Sequence, residues 1–214
     1  MYLTATHPAL MFVVSLISRL IACPTKQHVA AAKRVLRYLK GTIDYGVFYR
    51  KGGVSDLIGF TDSDYAGDME DVKSTPGYVF MISRGAVAWS SRKQPIVTLS
   101  TTEAEFVTAS ACACQAVWMS ILKEIGHCQI EGTKLMCDNT SIIKLSKNPV
   151  LHGRSKQIRV RFHFLRDLSK KGTVTLLFCG TLNQLADLLI KHLKLEVFQK
   201  LCEQLGVQSF SDLK

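Results

Sequence analysis

The chain has 214 residues, is 47% hydrophobic and carries a formal net charge of +10. That length and apolar content suffice for one good core with a smaller appended unit, and they exclude a disordered tail. Its seven cysteines, at 23, 112, 114, 128, 137, 179 and 202, include no CxxC pair, which argues against a disulfide framework or zinc finger and for the reduced thiols of an intracellular protein.

Residues 9–22, ALMFVVSLISRLIA, are apolar but short for a bilayer, contain Arg19 and follow no basic residue, so neither a signal peptide nor a membrane span is expected. Val13, Leu16, Ile17 and Leu20 recur at helical spacing and predict an amphipathic helix. A second helix is expected over 27–40, with Val29, Ala32, Leu36 and Leu39 as its apolar face and Lys33, Arg37 and Lys40 on another. A short strand follows at 43–50, then a turn at Lys51-Gly52-Gly53. Further strands are predicted at 57–62, 77–83 and 86–91, the last two joined at Arg84-Gly85. A long helix over 101–125 ends at Gly126, and a strand at 134–137 leads to a helix from about Thr140. A basic helix within 155–171, a strand at 173–179 and helices from about Gln184 complete the chain. This order implies an α/β fold, a mixed five-stranded sheet flanked by helices with a small N-terminal helical extension.

Charge is distributed unevenly, net +6 over residues 1–50, −3 over 51–110 and +7 over 111–214. Basic flanks around an acidic segment suit a protein that grips a polyanion while carboxylates act on it. The acidic segment opens with GFTDSDYAGD, residues 59–68. A calcium-loop reading fails, because counting from Asp62 puts Ala66 at the fifth position and Lys73 at the twelfth, where oxygen ligands are required. Asp62 ends one predicted strand, Asp138 follows another, and Asp187 lies early in the last helical segment, while Glu103 and Glu105 occupy the first turns of the long helix. Carboxylates gathered by a sheet repel one another unless cations neutralise them, and a pair of divalent metals is the usual solution. Asp64 and Asp68 read more simply as residues that keep the loop solvated.

Asp62-Ser63-Asp64-Tyr65-Ala66-Gly67-Asp68, Lys73-Ser74-Thr75-Pro76-Gly77-Tyr78, Ser90-Ser91-Arg92-Lys93-Gln94, Ser100-Thr101-Thr102-Glu103-Ala104-Glu105, Cys137-Asp138-Asn139 and Ala186-Asp187-Leu188-Leu189-Ile190-Lys191 closely resemble the RNase H domain of copia-type LTR retrotransposon polyproteins. Upstream, Tyr2-Leu3-Thr4-Ala5-Thr6 and residues 32–42 resemble the end of the reverse transcriptase in the same polyproteins. The resemblance implies an RNase H-like fold and hydrolysis of the RNA strand of an RNA·DNA hybrid by a two-metal mechanism. It implies two Mg2+, or Mn2+ in their place, on Asp62, a glutamate, Asp138 and Asp187. Ser100-x-x-Glu103 and Thr102-x-x-Glu105 both fit a capping box. Related retroelement sequences put the catalytic glutamate just before two apolar residues, as Glu105 stands before Phe106-Val107, so Glu105 is chosen over Glu103.

Residues 147–171 hold eight basic residues and one acid, and Arg154, Lys156, Arg159 and Arg161 are expected phosphate contacts. Asn139 would contact nucleic acid or cap the following helix, and Phe162 and Phe164 read as core. The family usually has histidine where Gln157 stands, aspartate at Arg159, threonine at Ile190 and glutamate at Gly153, which suggests a diverged copy that keeps its carboxylates. The expected organisation is a remnant of the reverse transcriptase thumb or connection region (1–52), an RNase H-like domain (53–192) and a C-terminal helical extension (193–214). The expected partners are an RNA·DNA hybrid and the polymerase domain of a longer polyprotein, without a membrane. With no Tyr-x-Asp-Asp motif, the chain is not expected to synthesise DNA. The contrasting expectation is a non-catalytic nucleic-acid-binding scaffold or inactive remnant.

Overall fold

A computed structural model describes residues 2–51, 56–127, 129, 131–147 and 156–213, without the side chains of Lys156, Gln157, Ile158, Asp212 and Leu213. Arg154, among the expected phosphate contacts, lies outside the described residues. Five strands form the main sheet: β2 (Ile58–Ser63), β3 (Pro76–Ile82), β4 (Gly85–Ser91), β5 (Thr133–Cys137) and β6 (Val174–Phe178). Their order is β4-β3-β2-β5-β6; β2, β3 and β4 are antiparallel neighbours, while β5 and β6 continue from β2 in parallel. A separate antiparallel ribbon joins β1 (Tyr45–Val47) to β7 (Val207–Ser209).

The helices are α1 (Tyr2–Thr6), α2 (Met11–Arg19), α3 (Lys26–Gly41), α4 (Thr101–Trp118), α5 (Thr140–Lys147), α6 (Lys156–Lys170) and α7 (Leu195–Gln204). Side chains alternate across strands, so β3 sends Phe80 to one core and Val79 and Met81 to another. The first core lies under α4, α5 and α6 and includes Phe106, Ala109, Ala113, Leu135, Ile142 and Leu165. Such a position explains why α4 is apolar on several sides. The second core receives Leu185, Leu188 and Leu189 from a short 3-10 turn, Leu201 and Leu205 from the C-terminal segment, and Ala9 and Met11 from the N-terminal one.

Several expectations need correction. Pro8 opens a 3-10 turn, Pro8–Leu10, so the expected first helix is shorter and begins at Met11. Within α3 the buried residue is Val35, flanked by half-buried Tyr38 and Leu39, whereas Val29 and Leu36 are exposed. The helix turns that face inward because Tyr38 meets Phe198 of α7 edge-on, ring centroids 6.1 Å apart. The long helix is α-helical only to Trp118, then winds as 3-10 to Ile125 before Gly126 at φ +84°. The β3–β4 turn falls on Ser83 and Arg84, both at positive φ, and Gly85 begins β4. A Cβ on Gly85 would stand 2.5 Å from the Tyr49 ring, so this glycine serves close approach rather than the turn.

The segments divided in sequence at 52 and 192 are in contact. Besides the β1–β7 ribbon, Trp89 Nε1 of β4 donates to the Thr4 carbonyl at 2.8 Å. Arg19 of α2 donates to Asp68 Oδ2 at 3.3 Å and to Thr75 Oγ1 at 3.2 Å.

Candidate metal centre

The parallel register of β2 on β5 runs to Phe60↔Met136. Asp62 and Asp138 stand two residues beyond those partners, at matching ends of neighbouring strands, which is why residues 76 positions apart in the chain meet. Glu105 comes from the first turns of α4, packed across the same sheet. One carboxylate oxygen each from Asp62, Glu105 and Asp138 lies within 4.8 Å of the others. Asp187, carried on the 3-10 turn Leu185–Leu189, comes within hydrogen-bonding reach of Asp62 but is outside that mutual triad.

Burial dominates the electrostatics. It pushes the Asp62 carboxyl far above the ordinary range, helped by hydrogen bonding with Asp187 and by the charges of Asp138 and Asp187, while the Ser63 N–H works against it. Glu105 rises to about 7 through burial, opposed by a hydrogen bond from Asn139 and raised further by Asp138. Burial also raises Asp138, with Asp187 adding to the effect and Lys191 and Thr181 reducing it. Acids crowded this way require a cation to ionise together. The donor set is all carboxylate oxygen, with no sulfur or imidazole, and so fits a hard divalent cation such as Mg2+.

Glu103 faces elsewhere. Its Oε2 accepts the Leu99 N–H at 2.6 Å, and its own N–H donates to Ser100 Oγ at 3.3 Å, so it closes the N-terminus of α4. Asn139 does two things: Oδ1 accepts the Ser141 N–H at 2.8 Å at the start of α5, and Nδ2 donates to Glu105 Oε1 at 3.3 Å. Asp64 accepts the Thr75 N–H at 2.5 Å, and Asp68 takes Lys93 at 2.6 Å together with Arg19, so both organise the acidic loop. Of the three aspartates in that loop, only Asp62 belongs to the cluster.

On α6, Arg159 is exposed and Arg161 half-buried, near enough to Cys114 of α4 to influence its thiol; neither belongs to the carboxylate cluster. Phe162 stacks on Phe106 at 3.9 Å between centroids, and Phe162 and Phe164 both pack against the first core. Two polar neighbours of Asp187 escaped the sequence reading. Lys191 Nζ lies 2.7 Å from Asp187 Oδ1, and Gln184, fully buried, bonds to the Thr61 carbonyl at 3.1 Å. Their signal was proximity, since both lie within four residues of Asp187.

An antiparallel three-stranded meander extended by two parallel strands, with acids clustered at the ends of β2 and β5, defines an RNase H-like domain. No family model matches the chain. Over 207 residues, 96% of the chain, it is 37% identical to the retrovirus-related Pol polyprotein from transposon RE1 of Arabidopsis thaliana. Over 209 residues, 97% of the chain, it is 37% identical to that from transposon TNT 1-94 of Nicotiana tabacum. The chain belongs to the copia-type, retrovirus-related Pol polyproteins of transposons, and it spans 14% and 16% of the length of these two relatives. Among solved structures, the N-terminal RNase H domain of a Mycobacterium tuberculosis protein, fused to maltose binding protein, aligns with 70% of this chain and 97% of that one. Its TM-score is 0.48 and its identity 12%.

Proposed function

We propose that this segment is a ribonuclease H, hydrolysing the RNA strand of RNA·DNA hybrids as part of a retrotransposon reverse transcriptase. The observation that carries this reading is the convergence of Asp62, Glu105 and Asp138 within 4.8 Å, with Asp187 alongside Asp62. These four carboxylates would hold two divalent ions, Mg2+ or Mn2+. When bound, such ions supply a nucleophile from water at neutral pH and stabilise charge on the departing oxygen of a phosphodiester.

The chain's own residues do the rest. Asn139 holds Glu105 toward the cluster through its amide while anchoring the start of α5. The buried floor of the site excludes water from one side, so that acid charge is felt strongly there. Arg159 and Arg161, with Arg154 and Lys156, would grip the phosphates of the hybrid without reading bases, which makes binding salt-dependent.

Incubating the purified chain with a labelled RNA·DNA hybrid, with and without Mg2+, tests the reading. The expected result is Mg2+-dependent cleavage of the RNA strand that leaves 5′-phosphate ends, reduced at least about 100-fold in Asp138→Asn. Salt-sensitive binding with no Mg2+-dependent product would overturn it in favour of a non-catalytic scaffold.

A further inference from the structure

Asp62 lies in β2, Glu105 in α4 and Asp138 directly after β5, whereas Asp187 is carried on a 3-10 turn outside the sheet strands. Its 3-10 turn, Leu185–Leu189, has the weaker hydrogen-bond geometry of that helix type, and yet all five residues are buried. Something has to set its distance from Asp62. The Gln184 side chain is completely buried and uses both ends of its amide. Nε2 donates to the Thr61 carbonyl at 3.1 Å, and Oε1 accepts the Ala186 N–H at 3.3 Å. Thr61 immediately precedes Asp62, and Ala186 immediately precedes Asp187. One amide therefore straps together the backbones behind two acids 125 positions apart in sequence.

The opposite side of the turn is fitted just as closely. Gly77 pairs with Asp62 across β2 and β3, and a Cβ placed there would come within 2.6 Å of Ile190 Cγ2 and 2.8 Å of Leu189 Cβ. The turn is thus pressed against β3 at one edge and tied to β2 at the other.

We infer that Gln184 is a positioning residue that fixes the separation of Asp62 from Asp187 and thereby sets the affinity of the cluster for divalent cations. This rests on the reading of the cluster as a metal centre. A carboxylate pair held at one spacing binds an ion without first being reorganised, and loosening the strap makes each binding event also order the turn. Gln184→Met keeps the volume and removes the amide, leaving the Thr61 carbonyl and the Ala186 N–H unsatisfied. Gly77→Ala disturbs the same turn from its other edge.

The test is a calorimetric Mg2+ titration of the purified chain at one temperature, without nucleic acid, with thermal melts in EDTA alongside. The half-saturating Mg2+ concentration is expected to rise about tenfold or more in Gln184→Met and in Gly77→Ala. A merely structural role would lower the melting temperature in EDTA and leave that midpoint in place, so midpoints within twofold of wild type in both variants overturn the inference. Should both variants fail to fold, amide hydrogen exchange of the wild-type chain decides. A protected Ala186 N–H that becomes slower still with Mg2+ supports the strap, and one exchanging like a free peptide overturns it. A wild-type chain that binds Mg2+ but leaves hybrids intact sinks the ribonuclease reading alone, whereas one that cleaves hybrids while Gln184→Met titrates normally sinks the strap alone. If wild type binds no Mg2+, the metal reading fails, and the strap's effect on cation affinity fails with it.

Discussion

Lys191 Nζ and Asp187 Oδ1 form an ion pair at 2.7 Å, one turn apart along the chain, so a tethered ammonium covers the one acid outside the mutual triad. Asp187 is nearly fully buried while Lys191 is partly exposed. Replacing Lys191 by Met leaves a buried carboxylate without its cation, and we expect a loss of about 1–2 kcal/mol in the metal-free protein. Part of it should return on adding Mg2+. Thermal melts in EDTA and in Mg2+ measure both effects, and coincident EDTA curves for variant and wild type would show that the pair contributes nothing.

Stability of the metal-free protein should fall as pH rises. A carboxyl whose pKa is higher folded than unfolded favours the fold while protonated; that contribution is complete below the unfolded value and disappears as pH climbs through the folded one. For Glu105 the window runs from the ordinary carboxylate value, about 4, up to about 7 in the folded chain. Asp62 and Asp138 are shifted in the same direction. Mg2+ binds the ionised form, so the melting-temperature difference between Mg2+ and EDTA should widen between about pH 5 and pH 8. A gap independent of pH would contradict the crowding of acids at this site.

The two glutamates of Thr102-Glu103-Ala104-Glu105 should separate cleanly. Glu103→Ala removes the carboxylate that accepts the Leu99 N–H and should cost about 1–2 kcal/mol, with the Mg2+-induced rise in melting temperature retained. Glu105→Gln relieves charge crowding, so the metal-free protein should be as stable as wild type or more so, with most of the Mg2+ response gone. The reverse pattern would move the metal ligand to Glu103.

Phe106 is fully buried and stacks on Phe162, rings inclined by 25°. Truncating Phe106 to Ala should cost about 3–5 kcal/mol by leaving a cavity between α4 and α6. Chemical denaturation reads this directly. Because α6 carries Arg159 and Arg161, a destabilised but folded variant should also bind hybrids more weakly at equal salt.

Much of this architecture is local, and local patterns were readable. The five strands of the main sheet fall within about a residue of their expected bounds because apolar runs there end at Gly, Pro or charged residues. Asp62 and Asp138 could be singled out for the same reason, since each follows an apolar strand. The ion pairs of Asp68 were less accessible: Arg19 lies 49 residues away, and nothing in its own helix announces the partner. The same holds for α3, where Val29 and Leu36 promised an apolar face but the contact of Tyr38 with Phe198 decided which side turned inward.

The chain's own order of residues determined the elements, the acids at their ends and the family resemblance, because periodicity and motif spacing act over a few turns of backbone. Only the folded molecule decided that Glu103 accepts the Leu99 N–H at the head of its helix, that Val207–Ser209 pairs with Tyr45–Val47, and that Gln184 straps Asp187 to Asp62. Those outcomes depend on which distant groups arrive at one place. A three-residue strand or a single buried amide has no periodicity of its own, and it acquires a partner only when the surrounding core has brought that partner within hydrogen-bonding distance.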